Sequence, residues 1–126
     1  MLPKLNRLRK EREFQQVFKK SRPVYFGNLQ VRVVERKVSP EVVNRFGFII
    51  SNKTEKRSAR RNAQKRQLRV VARALLSALK PGYDIVVFLK KTYDFPLSQE
   101  VIRKDLVGAL EKTGILKDAK IFNKTD

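Results

Sequence analysis

From Asn52 to Lys80 the chain runs for 29 residues without a glycine or a proline. So long an uninterrupted stretch predicts one helix, starting between Thr54 and Ser58 and stopped by Pro81-Gly82. Leu68, Val71, Ala72, Leu75 and Leu79 recur at helical spacing and form its buried stripe. At about 100° per residue, Asn62, Lys65, Arg66, Arg69 and Arg73 share one flank of that stripe. Between Lys53 and Arg73 there are nine cations and a single acid, Glu55, so i, i+4 ion pairs do not neutralise the flank. The packing that fixes the helix therefore also aims a concentrated positive charge outward. An anion outside the chain has to balance it.

The whole composition agrees. The 126 residues carry 30 Lys plus Arg against 12 Asp plus Glu, a net charge of +18. Self-repulsion of that size destabilises a compact state, and a polyanionic partner relieves it. Nucleic acid is the leading candidate and an anionic membrane surface the second. At 41% apolar residues the chain is no disordered polycation, and its length suits one domain. It has neither cysteine nor histidine, which removes disulfides, thiolate chemistry, most zinc sites and the usual neutral-pH general base. No apolar run approaches the ~20 residues of a membrane span, and "MLPKLNRLRKERE" holds no apolar signal segment. The expectation is a soluble cytoplasmic protein.

Around the long helix the other elements follow from local pattern. Within Leu5–Lys20, Phe14, Val17 and Phe18 at i, i+3, i+4 lie on one face of a short helix, ended by Ser21-Arg22-Pro23. Asn28 to Val38 alternates as a strand, and a short extra strand fits Val24 to Phe26. Val42 to Ile50 is a further strand, with Phe46, Phe48 and Ile50 on one face and Arg45, Gly47 and Ile49 on the other. The short link around Pro40 predicts that these two strands pair antiparallel. "DIVVFLK" (Asp84–Lys90) is continuously apolar, as in a strand buried on both faces. Ser98 caps a last helix, with Glu100 in its first turn, Ile102, Leu106, Ala109 and Leu110 on its packing face, and Gly114 at its end. The order α-β-β-α-β-α predicts an α+β two-layer sandwich, a small mixed sheet with packed helices. Residues 1–116 are expected to form a single domain, RNA-binding on the reading developed below, and 117–126 a frayed tail.

A protein active site has little support. No nucleophile is paired with a base, and there is no glycine-rich phosphate loop or metal-ligand cluster. Asp84, Asp94, Glu100 and Asp105 read as turn formers and helix-end charges. The arginine-rich helix is different, because the planar guanidinium fork matches phosphate. Aromatic rings beside cations, as at Phe14 and Phe18, suit unstacked single-stranded bases.

The segment Arg61-Asn62-Ala63-Gln64-Lys65-Arg66-Gln67-Leu68-Arg69 resembles the signature of the protein subunit of bacterial ribonuclease P. That pattern is Arg-Asn-Arg, Lys-Arg two residues on, then a further Arg, preceded by Ser-x-Lys, here Ser51 and Lys53. "NRLRKEREFQQVFK" (Asn6–Lys19) and "GYDIVVFLKK" (Gly82–Lys91) resemble the family in the same order. One position departs: Ala63 stands where the family has its second arginine, and Arg60 is the nearest replacement. The resemblance implies a ribosomal-protein-like sandwich whose strand–helix–strand crossover is left-handed. It implies an endonuclease, a hydrolase whose catalyst is the RNA subunit, removing the 5′ leader from precursor tRNA. Arg61, Asn62, Lys65, Arg66 and Arg69, with Arg57, Arg60 and Arg73 beside them, would face the RNA subunit. Phe14 and Phe18 would line the cleft for the single-stranded leader, with Ser51 and Lys53 at its edge. Magnesium would be held by the RNAs, with no protein metal ligand and no cofactor bound by the protein alone. The partners implied are the ribonuclease P RNA and precursor tRNA, without membrane or DNA. A ribosomal protein or RNA chaperone of similar fold is the alternative; a DNA-binding regulator and a stand-alone nuclease are weaker ones.

Overall fold

The structure, a computed structural model, describes residues 2–36 and 43–117. After a 3-10 turn (Lys4–Asn6) come α1 (Glu11–Lys20), β1 (Val24–Phe26), β2 (Leu29–Glu35), β3 (Arg45–Ile49), α2 (Ser58–Leu75), β4 (Tyr83–Leu89) and α3 (Gln99–Thr113). The predicted strand ends at Val38 and Val42, and the link around Pro40, lie outside the described residues, as does the tail from 118. Lys117 itself is tied down, its amide donating to the Ala78 carbonyl at 2.7 Å.

The strand order is β1-β2-β4-β3. The expected antiparallel pairing of β2 with β3 is not formed. β4 lies between them, antiparallel to β2 (Val31 opposite Val87) and parallel to β3 (Phe48 opposite Val87). The reason lies in the composition of β4. Ile85, Val86 and Val87 are fully buried, and a strand apolar on both faces is best placed in the sheet's interior with a partner on each side. Helix α2 then carries the chain from β3 across to its parallel neighbour.

Alternation along the strands divides the side chains between two faces. On one face, Leu29, Val31, Phe46, Ile85, Val87 and Leu89 meet α2 and α3 in the main core. Sheet and helix pair are the two layers of the sandwich. On the other face, Val86 meets Val17 of α1 and Leu8, flanked by Phe14, Phe18, Val34, Ile49 and Phe88. This second core is small, and α1 covers only part of its face.

The helix ends follow local chemistry. Glu13 Oε1 accepts the amides of Arg9 and Lys10 at 3.0 Å each, satisfying donors at the start of α1. Ser98 Oγ accepts the Val101 amide at 3.3 Å, and Gly114 (φ 80°) ends α3. The β1–β2 turn needs Gly27: its φ is 56°, and a Cβ there would lie 2.1 Å from Asp105 Oδ1. Asp105, read from sequence as a helix charge, instead accepts the Asn28 amide (3.1 Å) and the Tyr93 hydroxyl (2.7 Å), tying α3 to the sheet and the following loop. Burial and that carboxylate push the Tyr93 phenol well above its ordinary pKa. Asp84, read as a turn former, is buried and chelated by Arg45 through Nε (2.8 Å) and Nη2 (2.7 Å), with Arg36 Nε also 2.8 Å away.

Candidate nucleic-acid interface

Helix α2 buries Leu68, Val71, Ala72 and Leu75, and one polar residue, Gln64. The Gln64 side chain is 0% exposed, and both ends of its amide are bonded. Its Oε1 accepts the Tyr93 amide (2.8 Å), with the Thr92 hydroxyl oxygen 3.1 Å away, and its Nε2 donates to the Arg60 carbonyl (3.1 Å). The sequence reading passed over Gln64; its position within the apolar stripe was the available signal. Its bonds lock the start of α2 against the loop after β4, so the cations around it stand on a fixed frame.

Those cations divide into three groups. Arg61, Lys65 and Arg69 are half-buried along the flank turned to β3. Arg61 Nη1 donates to the carbonyls of Glu55 (2.9 Å) and Lys56 (3.1 Å), so this side chain also braces the turn before the helix. Desolvation, then the charges of Arg69 and Arg61, push the Lys65 ammonium below its ordinary pKa. Asn62, Arg66 and Arg73 form the exposed crest. Arg57 and Arg60 lie near Glu55, whose carboxylate accepts the Arg57 amide and the Thr92 hydroxyl and is lowered by both. Arg60 spreads its guanidinium 4.2 Å from the Phe95 ring centroid. Nine residues separate Arg60 from Arg69, about half a turn of the helical wheel. Arg60 therefore serves the flank facing the β4–α3 loop and does not join the Lys65–Arg69 row. Among the described residues no ion pair involves a cation of α2.

On the other face of the sheet, Phe14 and Phe18 are both half-buried. Phe18 meets Phe88 with ring centroids 5.6 Å apart, and Lys90 Nζ stands 5.9 Å from the Phe88 centroid. Ile49 pairs with Phe88 in the parallel register, so Ser51 and Lys53 leave β3 at the end where Lys90 leaves β4. Both are exposed, and Ser51 Oγ also accepts the Thr54 amide at 3.2 Å. At the opposite end of α1, Glu13 is joined to Arg45, which holds Asp84. Burial alone would raise the Glu13 carboxyl. The amides of Lys10 and Arg9, and then the Arg45 guanidinium, instead bring it down to about 2. A cleft of about 650 Å³ opens beside this network, lined by Lys10, Arg12, Gln16 and Lys20 among others.

The two surfaces meet at the edge of β3. Phe14 and Arg69 line the same cavity of about 110 Å³, together with Gly47 and Phe48. Predicted leader residue and predicted RNA-subunit residue are thus joined around one strand. Phe88, Arg45 and Tyr25 belong to the face that α1 partly covers and were missed. Period-2 alternation within "DIVVFLK" already set Phe88 apart from Ile85 and Val87, but the side on which α1 packs is a tertiary fact. Among the described residues, no group of three or more His, Cys, Asp or Glu is placed to hold a metal ion, and no helix is long and apolar enough to cross a membrane.

A four-stranded α+β sandwich bearing an unneutralised arginine-rich helix and a partly covered aromatic sheet face defines a small polyanion-binding domain. Residues 2–114 match the Ribonuclease P family. A Pseudanabaena ribonuclease P protein component is 36% identical over 116 residues, covering 92% of this chain and 97% of its own. That of Syntrophomonas wolfei is 34% identical over 126 residues, covering 100% of both. The RNase P protein from Thermotoga maritima has a similar structure, with a TM-score of 0.73 at 26% identity, covering 84% of this chain and 96% of that one. A mutant Staphylococcus aureus RNase P protein shares the fold, with a TM-score of 0.75 at 23% identity, covering 90% and 92%. The chain belongs to the ribonuclease P protein family, which favours that reading over the ribosomal-protein or RNA-chaperone alternative.

Proposed function

We propose that this chain binds the RNA subunit of ribonuclease P through α2 and holds the single-stranded 5′ leader of precursor tRNA between α1 and the sheet. The observation that carries this is the cavity shared by Arg69 and Phe14, which joins the cation row to the aromatic face. Burial, and then the nearby charges of Arg69 and Arg61, depress Lys65, and no carboxylate pairs with the three among the described residues. A phosphodiester backbone supplies the missing counter-charge, and arginine forks fit it bidentately. Asn62, Arg66 and Arg73 extend the contact along the crest. Arg57 and Arg60 reach the same RNA from the other flank, where the Arg60 guanidinium sits over the Phe95 ring.

On the sheet, Phe14 and Phe18 offer ring faces to bases, while Ser51, Lys53 and Lys90 meet phosphates at one end of the cleft. The protein's role is to bind, orient and screen. Hydrolysis is assigned to the RNA subunit, with magnesium held by the RNAs, and the setting is the cytoplasm. The test is maturation of a precursor tRNA by RNA subunit alone, protein alone and both together. The protein should raise the RNA's activity at low magnesium and should cleave nothing by itself. Clean 5′ maturation by RNA-free protein would overturn this assignment.

A further inference from the structure

Beyond the end of α1 the sheet face continues uncovered onto β1. Val24 and Phe26 alternate with Tyr25, and Phe26 turns to α3, against Gly108. Tyr25 therefore points to the α1 side. Its register partner is Gln30, and Gln30 in turn pairs with Phe88. Tyr25, Gln30 and Phe88 thus form one row across three strands, with Phe18 packed on the Phe88 end.

The row is built as a platform. Tyr25 is 55% exposed, yet its hydroxyl is fixed by Gln30 Nε2 at 2.7 Å. Gln30 is only 6% exposed, so it cannot swing away, and it anchors the hydroxyl edge of the ring. The Tyr25 hydroxyl accepts in that bond and keeps its own proton to donate. The approach is cationic: Lys90 stands over Phe88, Lys19, Lys20 and Arg22 are exposed around the end of α1, and Arg32 Nη1 pins the link to β1 through the Ser21 carbonyl at 3.2 Å. An exposed ring held rigid, with a donor at its edge and cations around it, suits an unpaired nucleobase.

We propose that Tyr25, seated on Gln30, is a further base-stacking position for the 5′ leader, beyond Phe14 and Phe18. This rests on the leader reading above and extends it by one seat. Two strand spacings separate β1 from β4, about 10 Å. Tyr25 also lies on the edge strand farthest from β3, where Arg69 and Phe14 meet. With α2 set on the RNA subunit that cuts the leader, as proposed above, Tyr25 takes a nucleotide farther from the cut than the one at Phe18.

The test uses the reconstituted holoenzyme and precursor tRNAs whose leaders are shortened one nucleotide at a time. Tyr25→Ala should weaken binding of the longest-leader precursor by about 5- to 150-fold, the range that removal of a base-stacking ring gives. The loss should vanish at a leader length that still shows the loss from Phe18→Ala. Tyr25→Phe should retain most of the affinity, since the ring remains. If Tyr25→Ala binds the longest leader like the wild type while Phe18→Ala is impaired, the extension is wrong and the leader reading stands. If neither variant shows any dependence on the leader, both fail. An equal loss with leaderless tRNA also overturns the proposal.

Discussion

Phe14 lies on the bare backbone of Gly47. A Cβ at position 47 would sit 2.3 Å from Phe14 Cε1 and 2.5 Å from its Cζ, closer than carbon atoms approach. The contact sets how near α1 lies to β3. Gly47→Ala should push the ring and its helix outward and lower stability by about 1–3 kcal/mol, the usual cost of overpacking. Thermal melting measures the loss. A melting temperature equal to the wild type's would show that α1 rides loosely on the sheet.

Glu13 and Arg45 latch the other end of α1, and the latch depends on pH. The Glu13 carboxyl falls from its ordinary 4.5 to about 2 on folding. A depressed carboxyl stabilises the fold fully above its unfolded pKa and loses that contribution as pH falls through the folded value. Between pH 4.5 and 2 the wild type should therefore lose stability more steeply than Glu13→Gln. Denaturant midpoints across this range decide it, and parallel curves would remove the latch from the account.

Burial, and then the charges of Arg69 and Arg61, hold Lys65 at a cost to the free protein. Lys65→Gln should raise the melting temperature at low salt, by a margin that shrinks as salt screens the row. The same change should weaken RNA-subunit binding. A variant that is both less stable and unimpaired in binding would show that the row is not built for an anion.

Arg66 and Arg61 should behave differently. Arg66 is exposed, so Arg66→Ala should leave the melting temperature alone and weaken RNA-subunit binding by roughly 1–3 kcal/mol, as for hydrogen bonds to charged groups. Arg61 also braces the Glu55 and Lys56 carbonyls, so Arg61→Ala should lower both stability and binding. Exposed Lys117→Ala is the control for diffuse charge. Equal binding losses at Arg66 and Lys117 would argue for a charge cloud in place of a site.

Local pattern made much of this molecule legible. The stripe from Leu68 to Leu75, the Ser98 cap and the Gly114 stop all depend on neighbours a few residues away, and all are present. The helix stops short of the expected Pro81-Gly82: it ends at Leu75, Leu76–Ala78 tighten into a 3-10 turn, and Leu79 reaches the core from extended backbone, bridged to Leu116. The two faces of β3 were readable because strand alternation has a period of two. Strand order was not readable. A short link favours an antiparallel hairpin, and only the two-sided burial of Val86 and Val87 against the whole fold puts β4 between β2 and β3. Arg61 to Arg69 were visible as charge. That Arg60 turns away onto Phe95 was not, since Phe95 lies 35 positions along the chain. Asp84 and Asp105 looked like surface acids because their partners come from distant strands and loops.

The central claim is that α1 and the sheet hold the leader while α2 holds the RNA subunit. It is tested most directly by the affinity of the reconstituted holoenzyme for precursor tRNA against leaderless tRNA, with wild type and Phe18→Ala side by side. The wild-type protein should favour the precursor, and Phe18→Ala should lose much of that preference while its affinity for leaderless tRNA and for the RNA subunit holds. Phe18 is only half-buried, so its removal should cost less stability than the ~3–5 kcal/mol of a core phenylalanine. An unchanged preference for the precursor, with a collapsed melting temperature, would make Phe18 a packing residue and contradict the account.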